Sequence, residues 1–163
     1  MRGNYLSELK LTLHGPGLFW FTDCLRISNS ANAWYHSVVT FSDGFTGYLI
    51  AAPYTGTMDN TQFIQIFTDK VLAYYPSTRF VVNNNAKDIS ATAVNQSLNM
   101  LNVFFANILP YFPKSNAVEN LHRYLLQALR INVQQACPDP SDWLILLPMA
   151  IISLNNTSFS RLN

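Results

Sequence analysis

Nine carboxylates, three histidines and two cysteines are the groups in this 163-residue chain able to hold a metal, carry a proton or attack an electrophile. Carboxylates are the hard oxygen donors that divalent cations such as Mg²⁺ select. Two of them stand out by position, Asp23 in the middle of an aromatic and branched run and Glu119 at the head of a helical one. Taken singly each has an ordinary reading, because a strand Asp is usually satisfied in a turn or at an edge and a helix Glu is usually solvated. Asp43 falls in a Ser-Asp-Gly turn, and Asp88 at a helix start, where a carboxylate caps backbone N–H groups. His14, His36 and His122 have no metal-ligand spacing and read as surface or satisfied core residues. Cys24 and Cys137 also lack that spacing and read as two buried, reduced thiols rather than a disulfide.

Composition limits what else the chain can do. Ten Lys and Arg against nine Asp and Glu leave a formal charge of +1, so a nucleic-acid partner would have to be held by a local patch rather than by global basicity. Only 12% of residues are charged and 49% are hydrophobic, against a usual charged fraction of about 25%; the surface leans on Asn, Ser, Thr and Gln. The longest apolar run, Trp143 to Leu154, is too short to span a bilayer, carries Pro148 in its middle, and is expected to be a core helix or strand. Residues 1–13 lack the pattern of a secretory signal, so the sequons at Asn95 and Asn156 carry little weight.

Placing these residues requires an order of elements. Strands are expected at Leu18–Ile27, His36–Phe41 and Tyr48–Ala52, the last two joined as a hairpin through Ser42–Gly47 and closed by Pro53. Phe63, Ile64, Phe67, Val71 and Leu72 recur at helical spacing between Asp59 and Tyr75, and Pro76 stops that helix. A strand at Arg79–Val82, a helix capped by Asp88 or Ser90 and running to about Leu101, and a fifth strand at Val103–Ile108 follow. Val118–Val133 is a long helix with Leu121, Leu125 and Leu129 on one side and Arg123 and Arg130 exposed elsewhere; Pro138 and Pro140 break it, and Ser141 caps a last helix. With no internal repeat or low-complexity linker, residues 1–163 are expected to form a single domain with an N-terminal extension over residues 1–15.

Five segments in this order share a pattern. Trp20-Phe21-Thr22-Asp23 lies in the first strand and Asp43-Gly44-Phe45-Thr46-Gly47-Tyr48 after the second. Phe80-Val81-Val82-Asn83-Asn84-Asn85-Ala86-Lys87-Asp88 follows the fourth, and Tyr111-Phe112-Pro113-Lys114-Ser115-Asn116-Ala117-Val118-Glu119-Asn120-Leu121-His122-Arg123 opens the long helix. Trp143 to Pro148 with Leu154-Asn155-Asn156 completes the set, and position 119 lies 35 residues after position 84. Together these resemble the catalytic core of retroviral and long-terminal-repeat retrotransposon integrases, from about Trp20 to the C-terminus. The family pattern has His where Phe112 stands, Gly where Ala117 stands and a catalytic Asp where Asn84 stands.

The resemblance implies an α/β, RNase H-like fold: a five-stranded mixed sheet, its first three strands antiparallel, flanked by helices. Neither a zinc-binding N-terminal domain nor a C-terminal barrel is discernible in these residues. It implies that Asp23, Asn84 and Glu119 occupy the three catalytic positions, where a pair of Mg²⁺ or Mn²⁺ ions polarises a phosphate and activates water or a DNA 3′-hydroxyl. Asn84 offers a neutral carbonyl oxygen in place of a charge, so Asp23 and Glu119 would be the stronger metal ligands and cation binding, DNA 3′-end processing and strand transfer would be severely weakened. An isosteric replacement that inactivates an enzyme and decay of an element no longer selected for transposition both account for Asn84; the Asn-rich surroundings and the missing His and Gly favour decay. Lys87, Lys114, Asn116, Arg123 and Arg130 would contact nucleic acid, which for phosphate contacts fixes position without reading sequence.

The implied partners are element-end and target DNA and a second copy of the chain or a higher oligomer, without a membrane, in the nucleus or an element particle. A different class of function fits the missing carboxylate as well: a non-catalytic RNase H-like scaffold for dimerisation or for binding DNA or a host protein. A cellular RNase H-like nuclease fits less well, because the Pro-Lys-Ser-Asn context ahead of Glu119 is integrase-like.

Overall fold

The computed structural model describes residues 15–27, 35–84, 89, 91–107, 115–136 and 143–158. The strands are β1 (Phe19–Arg26), β2 (Ser37–Asp43), β3 (Leu49–Tyr54), β4 (Phe80–Asn83) and β5 (Phe104–Asn107); the helices are α1 (Asn60–Phe67), α2 (Ala91–Asn99), α3 (Ser115–Ala136) and α4 (Trp143–Ser158). They form one five-stranded sheet in the order β3-β2-β1-β4-β5. β1, β2 and β3 pair antiparallel, and β1 with β4 and β4 with β5 pair parallel. This is the mixed sheet and RNase H-like fold that the sequence pattern implies.

Side chains alternate across a strand, so β1 feeds two cores. Trp20 packs with Val39, Phe41, Val81 and Phe105 of the sheet against Phe63 and Phe67 of α1 and Val94 and Leu98 of α2. On the opposite face Leu25, Val38 and Leu49 pack against Leu125 and Leu129 of α3 and Trp143, Leu146, Leu147, Ala150 and Leu154 of α4. Asp23, in phase with Leu25, therefore faces the α3 layer, while Thr22 and Cys24 lie in phase with Trp20.

The elements differ from expectation in instructive places. β2 runs through Ser42 and Asp43, which pair with Phe21 and Trp20, so the hairpin turn is tighter than composition suggests. Asp43 is nonetheless the turn residue it was read as: its carboxylate accepts from the N–H of Gly17 and from the N–H and hydroxyl of Thr46. Gly47 takes φ 72° there, a left-handed conformation glycine enters without steric cost. Pro53 does not close β3 but sits within it opposite Val38, which an edge strand tolerates. Asp59 caps α1 by accepting from the Gln62 N–H, and the helix continues into a π-helical turn, Thr68–Leu72, before Pro76. The apolar run beginning at Trp143 is helical and passes through Pro148, which lies on the solvent side. Cys24 is half-buried rather than buried; Cys137, His14 and Asp88 lie outside the described residues.

Both open edges of the sheet are closed by asparagines from helices. Asn155 of α4 accepts from the Leu49 N–H at 2.7 Å and donates to its carbonyl at 2.9 Å, acting as one residue of a missing neighbouring strand for β3. Asn95 of α2 does the same for β5, accepting from the Phe105 N–H at 2.7 Å and donating to its carbonyl. Unpaired edge groups are thereby satisfied and blunted as templates for another strand.

Candidate functional site

Asp23 and Asn84 become neighbours through the parallel pairing of β1 and β4. The register puts Thr22 beside Asn83, and the Asn84 N–H extends the ladder by donating to the Thr22 carbonyl at 2.9 Å. The next residue on each strand is then Asp23 and Asn84, on the same face. The Asn84 Nδ2 donates to Asp23 Oδ2 at 3.2 Å, and the Cys24 N–H donates to Asp23 Oδ1 at 2.8 Å.

Glu119 approaches from above on α3. It is exposed, and its charge reaches Asp23. Burial pushes the Asp23 carboxyl up from 3.8 to about 6; the Cys24 N–H and the Asn84 amide pull it back, and the charge of Glu119 adds to the rise. Of the three residues read from the sequence as catalytic, Asp23 and Asn84 are thus in contact, and Glu119 acts on Asp23 through its charge.

A fourth residue joins them. His122 is buried, with Nε2 2.7 Å from the Thr40 hydroxyl oxygen and Nδ1 3.8 Å from Asp23 Oδ2. The Thr40 hydroxyl also donates to the Asp23 backbone carbonyl at 3.1 Å, and the direction of its bond to His122 follows the imidazole tautomer. Burial lowers the His122 pKa from 6.5 to about 4, so at neutral pH the contact with Asp23 is proximity to a neutral ring and not an ion pair. The sequence reading of His122 as a satisfied core histidine holds, but its place beside Asp23 was missed. The available signal was its position three and seven residues before Leu125 and Leu129, which are buried on the inward side of the helix.

Arg123 and Arg130 are exposed, and with Glu119, His122, Leu126 and Gln127 they line an open groove of about 470 Å³ along α3. The Arg123 guanidinium also lies over the Tyr124 ring, 5.3 Å from its centre. Lys87 and Lys114 lie outside the described residues; Asn116 is within α3, but its side chain is not among those described.

Asp23 and Glu119 supply two carboxylates and Asn84 a neutral amide, whose N–H is turned toward Asp23. Among the described residues no group of three or more His, Cys, Asp or Glu is placed to hold a metal ion. Hard cations want anionic oxygens around them, and this set does not fit two of them.

No protein-family model matches the sequence, and no curated protein does either. Solved structures do match in fold. A chain of the simian T-cell lymphotropic virus intasome, determined by cryo-electron microscopy in complex with PP2A regulatory subunit B56 gamma, superposes with a TM-score of 0.69 at 18% identity, covering 85% of this chain and 48% of that one. The present chain therefore spans about half the length of that protein. The catalytic core domain of BIV integrase gives 0.64 at 18% identity, covering 85% of this chain and 83% of that one. The HTLV-2 integrase catalytic core domain, in a dimeric form in complex with magnesium, gives 0.66 at 12% identity, covering 85% and 86%. The chain has the RNase H-like fold of a retroviral integrase catalytic core.

Proposed function

We propose that this chain is the catalytic-core part of a retroelement integrase in which Asn84 occupies the place of a second catalytic Asp, leaving DNA 3′-end processing and strand transfer strongly impaired. The observation that carries this reading is the meeting of Asp23 with Asn84 through a 3.2 Å hydrogen bond, with the charge of Glu119 acting on the same carboxylate. The fold supports it, as does the sequence pattern around each of the three. In this reading Mg²⁺ or Mn²⁺ binds weakly through Asp23 and Glu119, with Asn84 as a poor third donor. Phosphates of element-end and target DNA run along the groove of Arg123 and Arg130, and Lys87, Lys114 and Asn116 are the further contacts of this reading. The role implies action in the nucleus or in an element particle.

The test is a disintegration assay on branched DNA with Mg²⁺ or Mn²⁺, comparing the chain with Asn84→Asp and with Asn84→Asp combined with Asp23→Asn. Joined product is expected from Asn84→Asp alone. A folded Asn84→Asp protein that is inert with both metals contradicts the reading.

One observation favours a second reading, a non-catalytic scaffold that assembles with copies of itself. Ile145, Met149 and Ile152 of α4 are 71%, 62% and 60% exposed and line one side of the helix. Beside them an apolar groove of about 340 Å³ lies between α4 and Ala51 and Pro53 of β3. Exposed apolar surface of this kind marks interaction sites, and a second copy of the chain is the occupant this reading takes.

A further inference from the structure

Among the described residues, the inward side of α3 runs from Leu129 through Leu125 to a polar residue, His122. Leu129 and Leu125 are 3% and 0% exposed, and His122, one turn earlier on the same side, is 9% exposed. The leucines pack into the core beneath α4. His122 instead reaches β2, where its Nε2 meets the Thr40 hydroxyl at 2.7 Å, and that hydroxyl donates to the Asp23 backbone carbonyl at 3.1 Å. Thr40 is 2% exposed. One chain of bonds therefore joins α3, β2 and β1, and it enters β1 at the residue that carries the buried carboxylate of the site.

Packing alone does not require this arrangement. An apolar side chain at 122 would fill the same space, whereas two buried polar groups must find each other or lose their hydration without return. A hydrogen bond is directional, and a directional contact fixes the rotation of a helix about its own axis in a way that a leucine cannot. Glu119 lies three residues ahead of His122, close to one turn of an α-helix, so the point where His122 is held determines where Glu119 is carried.

We propose that Thr40 and His122 form a positioning clamp that fixes the first turns of α3 on β1 and β2 and so sets the approach of Glu119 to Asp23. The clamp rests on the reading of Asp23, Asn84 and Glu119 as one functional cluster, and deepens it. His122 and Thr40 are positioning residues here, acting through the backbone and helix that carry the two carboxylates.

The experiment is amide hydrogen exchange on the chain and on Thr40→Val and His122→Leu, with Thr40→Ser and His122→Gln as conservative partners that keep a hydroxyl and a donor of similar reach. Thr40→Val and His122→Leu are expected to speed exchange at residues 119–123 by about tenfold or more while leaving Leu125 to Arg130 near the parent rate, and the conservative variants to stay close to the parent. A second readout is the influence of Glu119 on Asp23. Glu119→Gln should shift the Asp23 carboxyl carbon resonance in the parent and lose most of that effect in His122→Leu. Faster exchange spread evenly over β1, β2 and α3, or a Glu119→Gln response that is the same in both backgrounds, would overturn the clamp and leave the pair a merely structural contact. Neither readout uses DNA or metal, so an inert Asn84→Asp protein would refute the integrase reading without touching this one.

Discussion

Asn84 donates its amide hydrogen to Asp23 Oδ2 across 3.2 Å, on adjacent parallel strands and on the face covered by α3. The pair is self-satisfied without a cation. A carboxylate at the same position would face Asp23 as a like charge and would be held there only if a cation lay between them. On the proposed reading, Asn84 would favour the metal-free fold at the expense of the chemistry that two anionic ligands make possible.

The opposed shifts of Asp23 and His122 make the pH dependence of stability a test of the site's burial. Asp23 is raised from 3.8 to about 6, so the stability of its neutral form is fully present below 3.8 and is lost as pH rises through 6. His122 is lowered from 6.5 to about 4, so its contribution is present above 6.5 and is lost as pH falls through 4. Between these limits the two nearly offset one another. Removing either should expose its partner: relative to the parent, His122→Gln gains stability and Asp23→Asn loses it as pH falls from about 6.5 to 4, by up to roughly 3 kcal/mol each. Urea unfolding at several pH values measures this, and profiles parallel to the parent in both variants would show that neither group is buried as described.

Asn155→Ala should be among the more damaging single changes in the chain. It strips partners from both backbone groups of Leu49, where all the atoms involved are buried. Leaving them unmatched costs on the order of 2–4 kcal/mol. Asn95→Ala, whose bonds to Phe105 are only part-buried, should cost less because water can replace the amide. Denaturant unfolding of the two variants gives the ranking; an Asn155→Ala protein as stable as the parent would mean that α4 does not close the β3 edge.

Much of this architecture was legible in the sequence. Alternation and turn chemistry located all five strands, and helical spacing located α1, α2 and α3 to within a few residues; the apolar run of α4 fitted helix or strand alike, with only the Ser141 cap pointing to a helix. The edge-closing role of Asn95 and Asn155 was not legible, because a side chain that mimics a strand is recognisable only once the helix has been docked against that strand. Asp23, Asn84 and Glu119 could be singled out as candidates because each sits in a distinctive local run, and the structure brings Asp23 and Asn84 into contact. His122 was not, because its significance comes from Thr40, 82 residues away in the chain, and no local pattern links them. Cys24 was misjudged as buried since an apolar strand context hides the fact that β1 runs out from under the helices toward Arg26, which is exposed.

The exposed side of α4 predicts self-association. Met149→Lys combined with Ile152→Lys places charge on residues that are 62% and 60% exposed in the single chain, so folding should be unaffected while any dimer is lost. Sedimentation of parent and variant at high protein concentration checks this. A parent that remains monomeric throughout would remove the support for a second copy as the occupant of this face.

The measurement that bears most directly on Asn84 is Mn²⁺ binding by the chain and by Asn84→Asp, followed calorimetrically in the absence of DNA. Supplying the third carboxylate beside Asp23 and Glu119 should tighten binding by roughly 10- to 100-fold or more, and Glu119→Gln in the Asn84→Asp background should take most of that gain away. Equal affinities for the chain and Asn84→Asp, or no binding by either folded protein, would contradict the account of these three residues as a cation site missing one ligand.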